Sequence, residues 1–244
     1  MNSHYLCSME SIVLNHLTIG YKHKVVATDL QAVLHAGEFT CLLGPNGVGK
    51  STLLRTLSNF IPPLKGCVEL NGKDISQLKP YECAQQIGVV LTTKLDTANI
   101  TVAELVGMGR YPYTGFFGRL KANDQQIVDE AMAMTGIKPL QSRLIHTLSD
   151  GERQKTMIAK ALAQQTPVIF LDEPTAFLDF PSKAETFQLL RSMAHEKDKL
   201  IVLSTHDLEL AVRFADCLLE VEEGSLHTVT AAEVRQEMQE IIGK

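Results

Sequence analysis

The sequence lacks the features of secreted, membrane-spanning or strongly basic proteins. No apolar stretch approaches about 18 residues, the length that a membrane-spanning helix needs. The start, MNSHYLCSMESIVL, has no cationic segment followed by an apolar run, so we expect no cleaved signal peptide. The formal net charge is −5 at pH 7, which gives no basic field to attract nucleic acid or an anionic membrane. If a membrane matters to this protein, a partner has to supply the span.

Cysteines are present, but no two of them form a C-x-x-C pair. Three of the five lie in apolar stretches, which favours reduced, buried thiols of a cytosolic protein over a disulfide framework. The five cysteines are Cys7, Cys41, Cys67, Cys83 and Cys217. The composition of the 244 residues, 45% apolar and 21% charged, is ordinary for a globular protein with a sizeable core.

The first third of the chain has the patterning of strands. Short apolar runs separated by polar turns occupy residues 12–43 and predict a small β-layer. After residue 50 the leucine spacing changes to that of a helix, which we expect to end at Pro62. Asn71 and Gly72 lie between two short runs and predict a hairpin turn.

Residues from about 93 to 165 are predicted to be mainly helical and to form an insertion. Within them, Asn123 with Gln126 three residues later predicts a helix start, and Gly136 predicts its end. From Pro167 onwards, the strand patterns VIFLD and LIVLST alternate with helical segments, as in an α/β core with parallel strands.

The C-terminal end carries the signals of one more helix. Thr230 and Glu233 have the spacing of a capping box, and Gly243 is expected to terminate the helix that this box begins. The sequence contains no repeat and no low-complexity segment.

The sequence GPNGVGKS at residues 44–51 fits the phosphate-loop pattern G-x-x-x-x-G-K-[ST] between a strand and a helix. Glycines let backbone amides turn towards a β-phosphate, and the helix N-terminus adds the positive end of a dipole. We expect Lys50 to reach the β- and γ-oxygens and Ser51 to bind Mg²⁺. The alternative is a glycine-rich turn that carries a lysine by chance. The predicted nucleotide contacts here are Gly44, Pro45, Asn46, Gly47, Val48, Gly49, Lys50, Ser51 and Thr52.

Two later apolar strands also end in polar groups. VIFLD ends in Asp172 and is followed by Glu173, and LIVLST is followed by His206. Open α/β sheets bind ligands at the carboxyl ends of their strands. We therefore expect Asp172 to hold Mg²⁺, Glu173 to polarise the attacking water, and His206 to sense the γ-phosphate. Taken separately, these residues could also be a solvated acidic turn and a structural histidine.

Upstream of the carboxylate strand, residues 148–152 read LSDGE and resemble the LSGGQ-type signature of ABC ATPases. The similarity runs from about Ile12 to Gly224 in that family's order. The resemblance implies an α/β fold: a P-loop NTPase (RecA-like) core with an N-terminal antiparallel β-subdomain and a mainly α-helical insertion. It implies one ATPase domain over residues 1–244, with a core at about 10–92 and 163–244 and a helical subdomain at about 93–162. ATP and Mg²⁺ are the expected cofactors.

The resemblance also implies roles for residues outside the phosphate loop. Tyr21 resembles the aromatic residue that stacks on adenine, and residues 176–179, AFLD, resemble the D-loop. In this family the signature of one subunit closes over ATP held by the other, in a head-to-tail homodimer around two ATPs. By itself, LSDGE could be an N-capped helix and nothing more. The implied nucleotide contacts are Ser149, Gly151, Glu152 and Asp179.

Two positions depart from the family's pattern. Most ABC ATPases have a glutamine after the strand that opens the helical insertion, where this chain has Thr92 and Thr93. Thr92 could offer a hydroxyl to the metal, but its reach is shorter and it has no amide to donate. Asp150 stands at a signature glycine and adds negative charge close to the expected γ-phosphate. The backbone site survives if this side chain points away, and affinity suffers if it does not.

Residues 100–119 resemble the ATPases that serve importers of iron-siderophores, haem and cobalamin. The resemblance implies two membrane permease subunits and, through them, a solute-binding protein, with this chain on the cytoplasmic face of the cell membrane and no nucleic-acid partner. One alternative is a soluble ABC ATPase, which would normally link two cassettes. Another is a P-loop kinase, which would need an acceptor lid and would have no use for LSDGE. The transported solute is not encoded here, because specificity lies in the partner proteins.

Overall fold

The computed structural model describes residues 11–22, 24–91, 99–115 and 118–242, with side chains up to residue 240. Within these ranges the chain forms ten strands in two sheets and eight α-helices, and no helix is both long and apolar enough to cross a bilayer. The strands are β1 Ser11–Tyr21, β2 Lys24–His35, β3 Phe39–Leu43, β4 Lys65–Leu70, β5 Lys73–Asp74, β6 Ile87–Val90, β7 Val168–Asp172, β8 Leu200–Ser204, β9 Cys217–Glu222 and β10 Ser225–Val229. The helices are α1 Lys50–Leu57, α2 Pro80–Gln86, α3 Val102–Gly107, α4 Ala122–Met134, α5 Asp150–Ala163, α6 Phe180–Lys197, α7 Leu208–Phe214 and α8 Ala231–Ile242. Short 3₁₀ helices cover Ile75–Gln77, Met108–Tyr113, Lys138–Leu140 and Ile145–Thr147.

The smaller sheet has the strand order β2-β1-β4-β5, and all of its pairings are antiparallel. In β1, Ile12 and Leu14 are buried at alternate positions, as strand geometry requires. The register then shifts between Leu14 and Leu17, where His16 has a φ of 48°. This bulge adds a residue and keeps Leu17 and Ile19 on the buried side. The predicted antiparallel β-layer is confirmed.

The larger sheet has the order β10-β9-β3-β8-β7-β6 and is parallel except for β10. Strands β3, β7 and β8 are buried along their whole length, as continuous apolar runs are when both faces of a sheet are covered. Because β8 lies between β3 and β7, the residues that follow these three strands lie at one edge of the sheet. The predicted α/β core with parallel strands is confirmed.

Alternate residues of β7 belong to two apolar clusters, one for each face of the sheet. Phe170 shares a cluster with Leu54 of α1, whereas Leu171 shares the other with Phe187 of α6 and Val106 of α3. Fully burying one such side chain stabilises the fold by about 1.5–3 kcal/mol. The second cluster continues from the central sheet into α3, α4 and α5, so the helical segment is packed onto the sheet.

The segment predicted to be mainly helical contains α3, α4 and α5, which pack on one another. The predicted cap at Asn123 is wrong, because α4 begins at Ala122 and its N-cap is Lys121, two residues before Asn123. The carboxylate of Asp124 accepts a hydrogen bond from the Lys121 amide at 3.0 Å and another from Arg110 Nε at 3.0 Å. The charged Asp124 carboxylate, which is also held by its ion pair with Arg110, therefore determines where this helix begins.

Other element boundaries are mostly as predicted. Helix α1 ends at Leu57 rather than near Pro62, because Asn59 takes a left-handed conformation with a φ of 60°. Asn71 and Gly72 have positive φ and form the turn between the antiparallel strands β4 and β5. Gly243, which is predicted to end the last helix, lies outside the described residues. The predicted cap of α5 by Ser149 and the predicted capping box of α8, Thr230 with Glu233, are both confirmed.

Candidate active site

The phosphate loop connects β3 to α1 in a conformation that depends on glycine. Gly44, Gly47 and Gly49 have φ values of 128°, 78° and 124°, in the region that other residues avoid. A Cβ on Gly44 would lie 2.4 Å from the carbonyl oxygen of Val221, and one on Gly49 would lie 2.5 Å from Val26 Cγ1. The loop is therefore packed closely between β9 and β2, and only glycine fits at these two positions.

The side chain of Lys50 folds back over this loop. Its Nζ donates to the carbonyl oxygens of Gly44 at 2.7 Å and Pro45 at 3.0 Å, and the residue is 5% exposed. Burial lowers the pKa of Lys50, while the nearby carboxylates of Glu173 and Asp172 act in the opposite direction. A buried amine with two carbonyl acceptors is suited to exchange them for the oxygens of an anion.

Glu173 and His206, which follow β7 and β8, are in direct contact. Glu173 Oε1 lies 2.6 Å from His206 Nε2, and the same nitrogen lies 3.4 Å from Lys50 Nζ. Glu173 has a φ of 47°, an uncommon conformation that its amide stabilises by donating to the Ser204 carbonyl oxygen at 3.2 Å. The structure thus brings together the three residues predicted to be catalytic.

Ser204, which sequence reasoning missed, links the Asp172 carboxylate to the backbone of Glu173. Ser204 is fully buried, and its hydroxyl donates to Asp172 Oδ1 at 2.7 Å. The hydroxyl oxygen of Ser204 also accepts a hydrogen bond from the Glu173 amide at 3.0 Å. The available signal was a serine within an otherwise apolar, buried strand, where a hydroxyl requires a partner. Ser204 therefore holds the Asp172 carboxylate and the Glu173 backbone in place.

Two of the residues predicted to bind a metal, Asp172 and Ser51, lie within the described ranges. Asp172 is 4% exposed at the end of β7, and Ser51 is exposed at the start of α1. Their carboxylate and hydroxyl oxygens are the hard donors that Mg²⁺ prefers, and Mg²⁺ in nucleotide sites takes few protein ligands besides phosphate oxygens. The donor set therefore fits Mg²⁺. Thr92 lies outside the described residues.

The signature segment begins helix α5 with a complete capping box. The hydroxyl of Ser149 accepts from the Glu152 amide at 3.2 Å, and Glu152 Oε2 accepts from the Ser149 amide at 2.8 Å. That amide lowers the pKa of Glu152. Asp150 directs its carboxylate along the helix to Arg153, with a distance of 3.0 Å from Nη1 to Oδ1.

The remaining predicted contacts lie at two other places. Asp179 is the N-cap of α6 and accepts from the Ser182 amide at 3.1 Å. Tyr21 ends β1 with 45% of its surface exposed. In the described part of the chain, no hydrogen bond or ion pair joins residues 149–153 to residues 44–52.

Comparison with protein families decides the classification. A model of the family described as ABC transporter matches residues 27–176. This chain belongs to the ABC transporter family. The membership predicted from its motifs, the predicted fold class and the ATPase activity that characterises the family's ATP-binding proteins are thereby confirmed.

Similar ABC transporter proteins cover most of this chain. The ferric enterobactin transport ATP-binding protein of Escherichia coli is 41% identical over 210 residues, 86% of this chain and 78% of that protein. The iron(3+)-hydroxamate import ATP-binding protein of Bacillus subtilis is 38% identical over 218 residues, 89% and 81% of the two chains. An uncharacterised ABC transporter ATP-binding protein of Methanocaldococcus jannaschii is 46% identical over 201 residues, 82% and 69%.

Solved structures of ABC cassettes have the same fold. A dimeric ATP-binding cassette in a post-hydrolysis state, bound to ADP and Pi, matches with a TM-score of 0.81 and 25% identity, over 90% of this chain and 98% of that one. The cbiO1 protein of Clostridium perfringens, part of the ABC transporter complex cbiONQ, matches with a TM-score of 0.79 and 27% identity, over 95% and 93%. As an ABC ATPase, this chain is a nucleotide-binding protein.

Proposed function

We propose that this chain is the ATP-hydrolysing subunit of an importer for metal chelates, such as iron-siderophores, haem or cobalamin. The observation that carries the proposal is the line of contacts from Lys50 through His206 to Glu173 at the mouth of the phosphate loop. The names of the siderophore and hydroxamate relatives support the solute class.

In the proposed reaction, each polar group has one task. The loop at residues 44–52 and Lys50 bind the phosphates, and Tyr21 stacks on the adenine. A water attacks the γ-phosphorus while the bond from that phosphorus to the β–γ bridging oxygen breaks and ADP leaves. The proton of the water passes to the Glu173 carboxylate, and His206 holds that carboxylate and the γ-phosphate in position. Asp172 and Ser51 would hold Mg²⁺, which neutralises charge on the phosphate oxygens. Thr92 stays a predicted additional ligand.

The proposed working unit contains two copies of the chain. Ser149, Gly151, Glu152 and Asp179 would meet the nucleotide held by the other copy, as the family's arrangement implies. Within the described ranges, no hydrogen bond or ion pair joins these four residues to their own phosphate loop. Each copy would be a single domain, with a core at about residues 10–92 and 163–244 and a helical subdomain at about 93–162. The dimeric state of the matched cassette supports this arrangement.

A groove between α1, α2 and α5 fits contact with a permease. It has a volume of about 310 Å³. Phe60 lines it and is 60% exposed, and Tyr81 of α2 is 55% exposed beside it. Exposed aromatic side chains are enriched at protein interfaces. We therefore place one permease subunit on each copy, with the solute-binding protein reached through the permeases, the ATPase on the cytoplasmic side, and no nucleic acid involved.

The catalytic assignment is tested by Glu173→Gln in the purified chain. We expect ATP hydrolysis to slow by about 10²- to 10⁴-fold, the usual effect of losing a general base, while ATP binding persists and ATP-dependent dimers accumulate. Phosphate release without an acceptor and size-exclusion chromatography measure the two effects. Unchanged turnover would remove Glu173 from this role.

The transport assignment is tested by co-purification from membranes. A tagged chain should retain a membrane permease in mild detergent, and Phe60→Ser with Tyr81→Ser should weaken that retention while leaving the isolated ATPase active. A chain that purifies from the soluble fraction without a permease would favour the soluble ABC ATPase.

A further inference from the structure

The first turn of α5 carries two carboxylates, Asp150 and Glu152, at the helix end where the proposed function places the γ-phosphate of a second copy's ATP. Acids at this position favour the helix, because they interact with the positive end of its dipole, but they repel an incoming anion. An arginine lies against each of them. Arg153 Nη1 is 3.0 Å from Asp150 Oδ1, and Arg143 Nη1 is 3.4 Å from Glu152 Oε1.

The two carboxylates differ in the hydrogen bonds that hold them. Glu152 accepts hydrogen bonds from the amide and the hydroxyl of Ser149 at 2.8 and 3.1 Å, which hold it within the capping box. The side chain of Asp150 is 65% exposed, and among the described residues its carboxylate forms an ion pair with Arg153. Arg153 in turn donates through Nη2 to the Leu148 carbonyl oxygen at 3.3 Å. Its guanidinium thus spans the signature segment and is held on both sides of Ser149.

We propose that Arg153 is a positioning residue that neutralises Asp150 and so keeps this signature able to accept the phosphate of ATP bound by a second copy. Asp150 stands where the family's signature has glycine, and Arg153 offsets the charge that this residue introduces. The inference rests on the proposed two-copy nucleotide site. It concerns association of the copies on ATP and not the folding of either copy.

Magnitudes separate this role from a structural one. An exposed ion pair contributes about 0–1 kcal/mol to stability, so Arg153→Gln should leave the unfolding midpoint almost unchanged. In the closed site, the uncompensated carboxylate would face a multiply charged phosphate, where a like charge is far more costly than in open solvent. We expect Arg153→Gln to raise the ATP concentration for half-maximal dimerisation about tenfold, with a smaller effect at high salt.

The experiment is a double-mutant cycle in the Glu173→Gln background, where ATP-bound dimers should persist. Dimer fraction is measured by analytical ultracentrifugation against Mg-ATP concentration, at about 50 and 500 mM salt, for Arg153→Gln, Asp150→Asn and both together. We expect the double variant to return to within about twofold of the background, because the isosteric asparagine removes the charge that Arg153 offsets. In chains with Glu173 intact, Arg153→Gln should raise KM for ATP more than it lowers kcat.

The control is Lys138→Gln, which removes another exposed ion pair, with Asp129, from the same helical segment. This variant should dimerise like the background. An unchanged ATP dependence in Arg153→Gln, or a double variant as weak as Arg153→Gln alone, would overturn the role of Arg153 and leave the proposed function intact. If the background chain itself does not dimerise on ATP, the two-copy site is wrong and the inference falls with it.

Discussion

The amine of Lys50 is enclosed by the phosphate loop, with which it is proposed to bind ATP. Replacing it by methionine keeps an apolar stem of similar length in the buried position and removes only the charged donor. A hydrogen bond to a charged group contributes about 1.5–3 kcal/mol, so we expect Lys50→Met to weaken ATP binding by about 10- to 100-fold with the fold retained. Calorimetric titration of a variant with native circular dichroism measures this, and retained affinity would count against the phosphate-loop assignment.

Ser204 holds the Asp172 carboxylate and the Glu173 amide from a buried position. Ser204→Ala removes a hydrogen bond from Asp172 and another from the Glu173 amide, and losing a buried hydrogen-bond partner costs about 1–3 kcal/mol. We expect lower stability and also a kcat reduced by about tenfold. Asp172 loses its hydroxyl donor, and the Glu173 amide keeps only its bond to the Ser204 carbonyl oxygen, so both residues are positioned less firmly.

The matched control for Ser204 is Thr135→Val. Thr135 is also buried, and its hydroxyl donates to the Ala131 carbonyl oxygen at 3.1 Å, at the end of α4 and away from the catalytic residues. Urea denaturation and steady-state kinetics on both variants separate the two effects. The positioning role of Ser204 is excluded if both variants lose stability and neither loses kcat.

At the scale of elements, the start of α4 depends on a buried ion pair. Arg110 and Asp124 are 5% and 7% exposed, and Arg110 also donates to the Ala163 carbonyl oxygen at 2.9 Å. Breaking such a pair from one side costs about 3–5 kcal/mol, because the remaining charge stays buried. We therefore expect Asp124→Ala to lower the free energy of unfolding by about this amount.

Asn123→Ala is the natural comparison, since the sequence suggested Asn123 as the cap. This change should alter the free energy of unfolding by less than about 0.5 kcal/mol, as an ordinary surface substitution does. Urea denaturation followed by circular dichroism measures both variants. Equal losses for Asp124→Ala and Asn123→Ala would mean that the pair with Arg110 does not stabilise the element.

The boundaries of these helices differ in whether the sequence alone predicts them. The starts of α5 and α8 were predictable, because a capping box joins residues three positions apart and depends on little else. The start of α4 was not, because Asp124 is placed there by Arg110, fourteen positions away, and by the packing of α4 on α5. Likewise, the end of α1 was predicted from prolines, whereas the left-handed Asn59 ends the helix earlier.

For the whole molecule, helix caps link stability to pH. Hydrogen bonds from cap amides lower the pKa of several carboxyls below their ordinary values, so these groups favour the folded state when ionised. Their contribution is fully present above the unfolded-state pKa and is lost as the pH falls through the folded-state pKa. The ordinary values are 4.5 for glutamate and 3.8 for aspartate. The groups are Glu104, Asp124, Glu152 and Glu233.

We therefore expect the urea midpoint to change little between pH 7 and about pH 5 and to fall below about pH 4.5. Removing two of these groups by Glu104→Gln with Glu233→Gln should flatten the fall, because fewer protons are then taken up on unfolding. Urea titrations from pH 3.5 to 7 measure the slope for both chains. An identical slope would mean that the caps do not carry this pH dependence.

The sequence by itself determined what neighbouring residues can specify: the phosphate loop, the carboxylates and histidine after buried strands, two of the helix starts, and the membership in the ABC family that these motifs carry. The tertiary structure alone decided that Ser204 joins Asp172 to the Glu173 backbone, that Arg110 selects the start of α4, and that Asp150 turns to Arg153. The physical reason is that a local motif depends on backbone geometry over a few residues. A polar contact between chosen partners depends instead on which side chains packing brings within about 3 Å of each other.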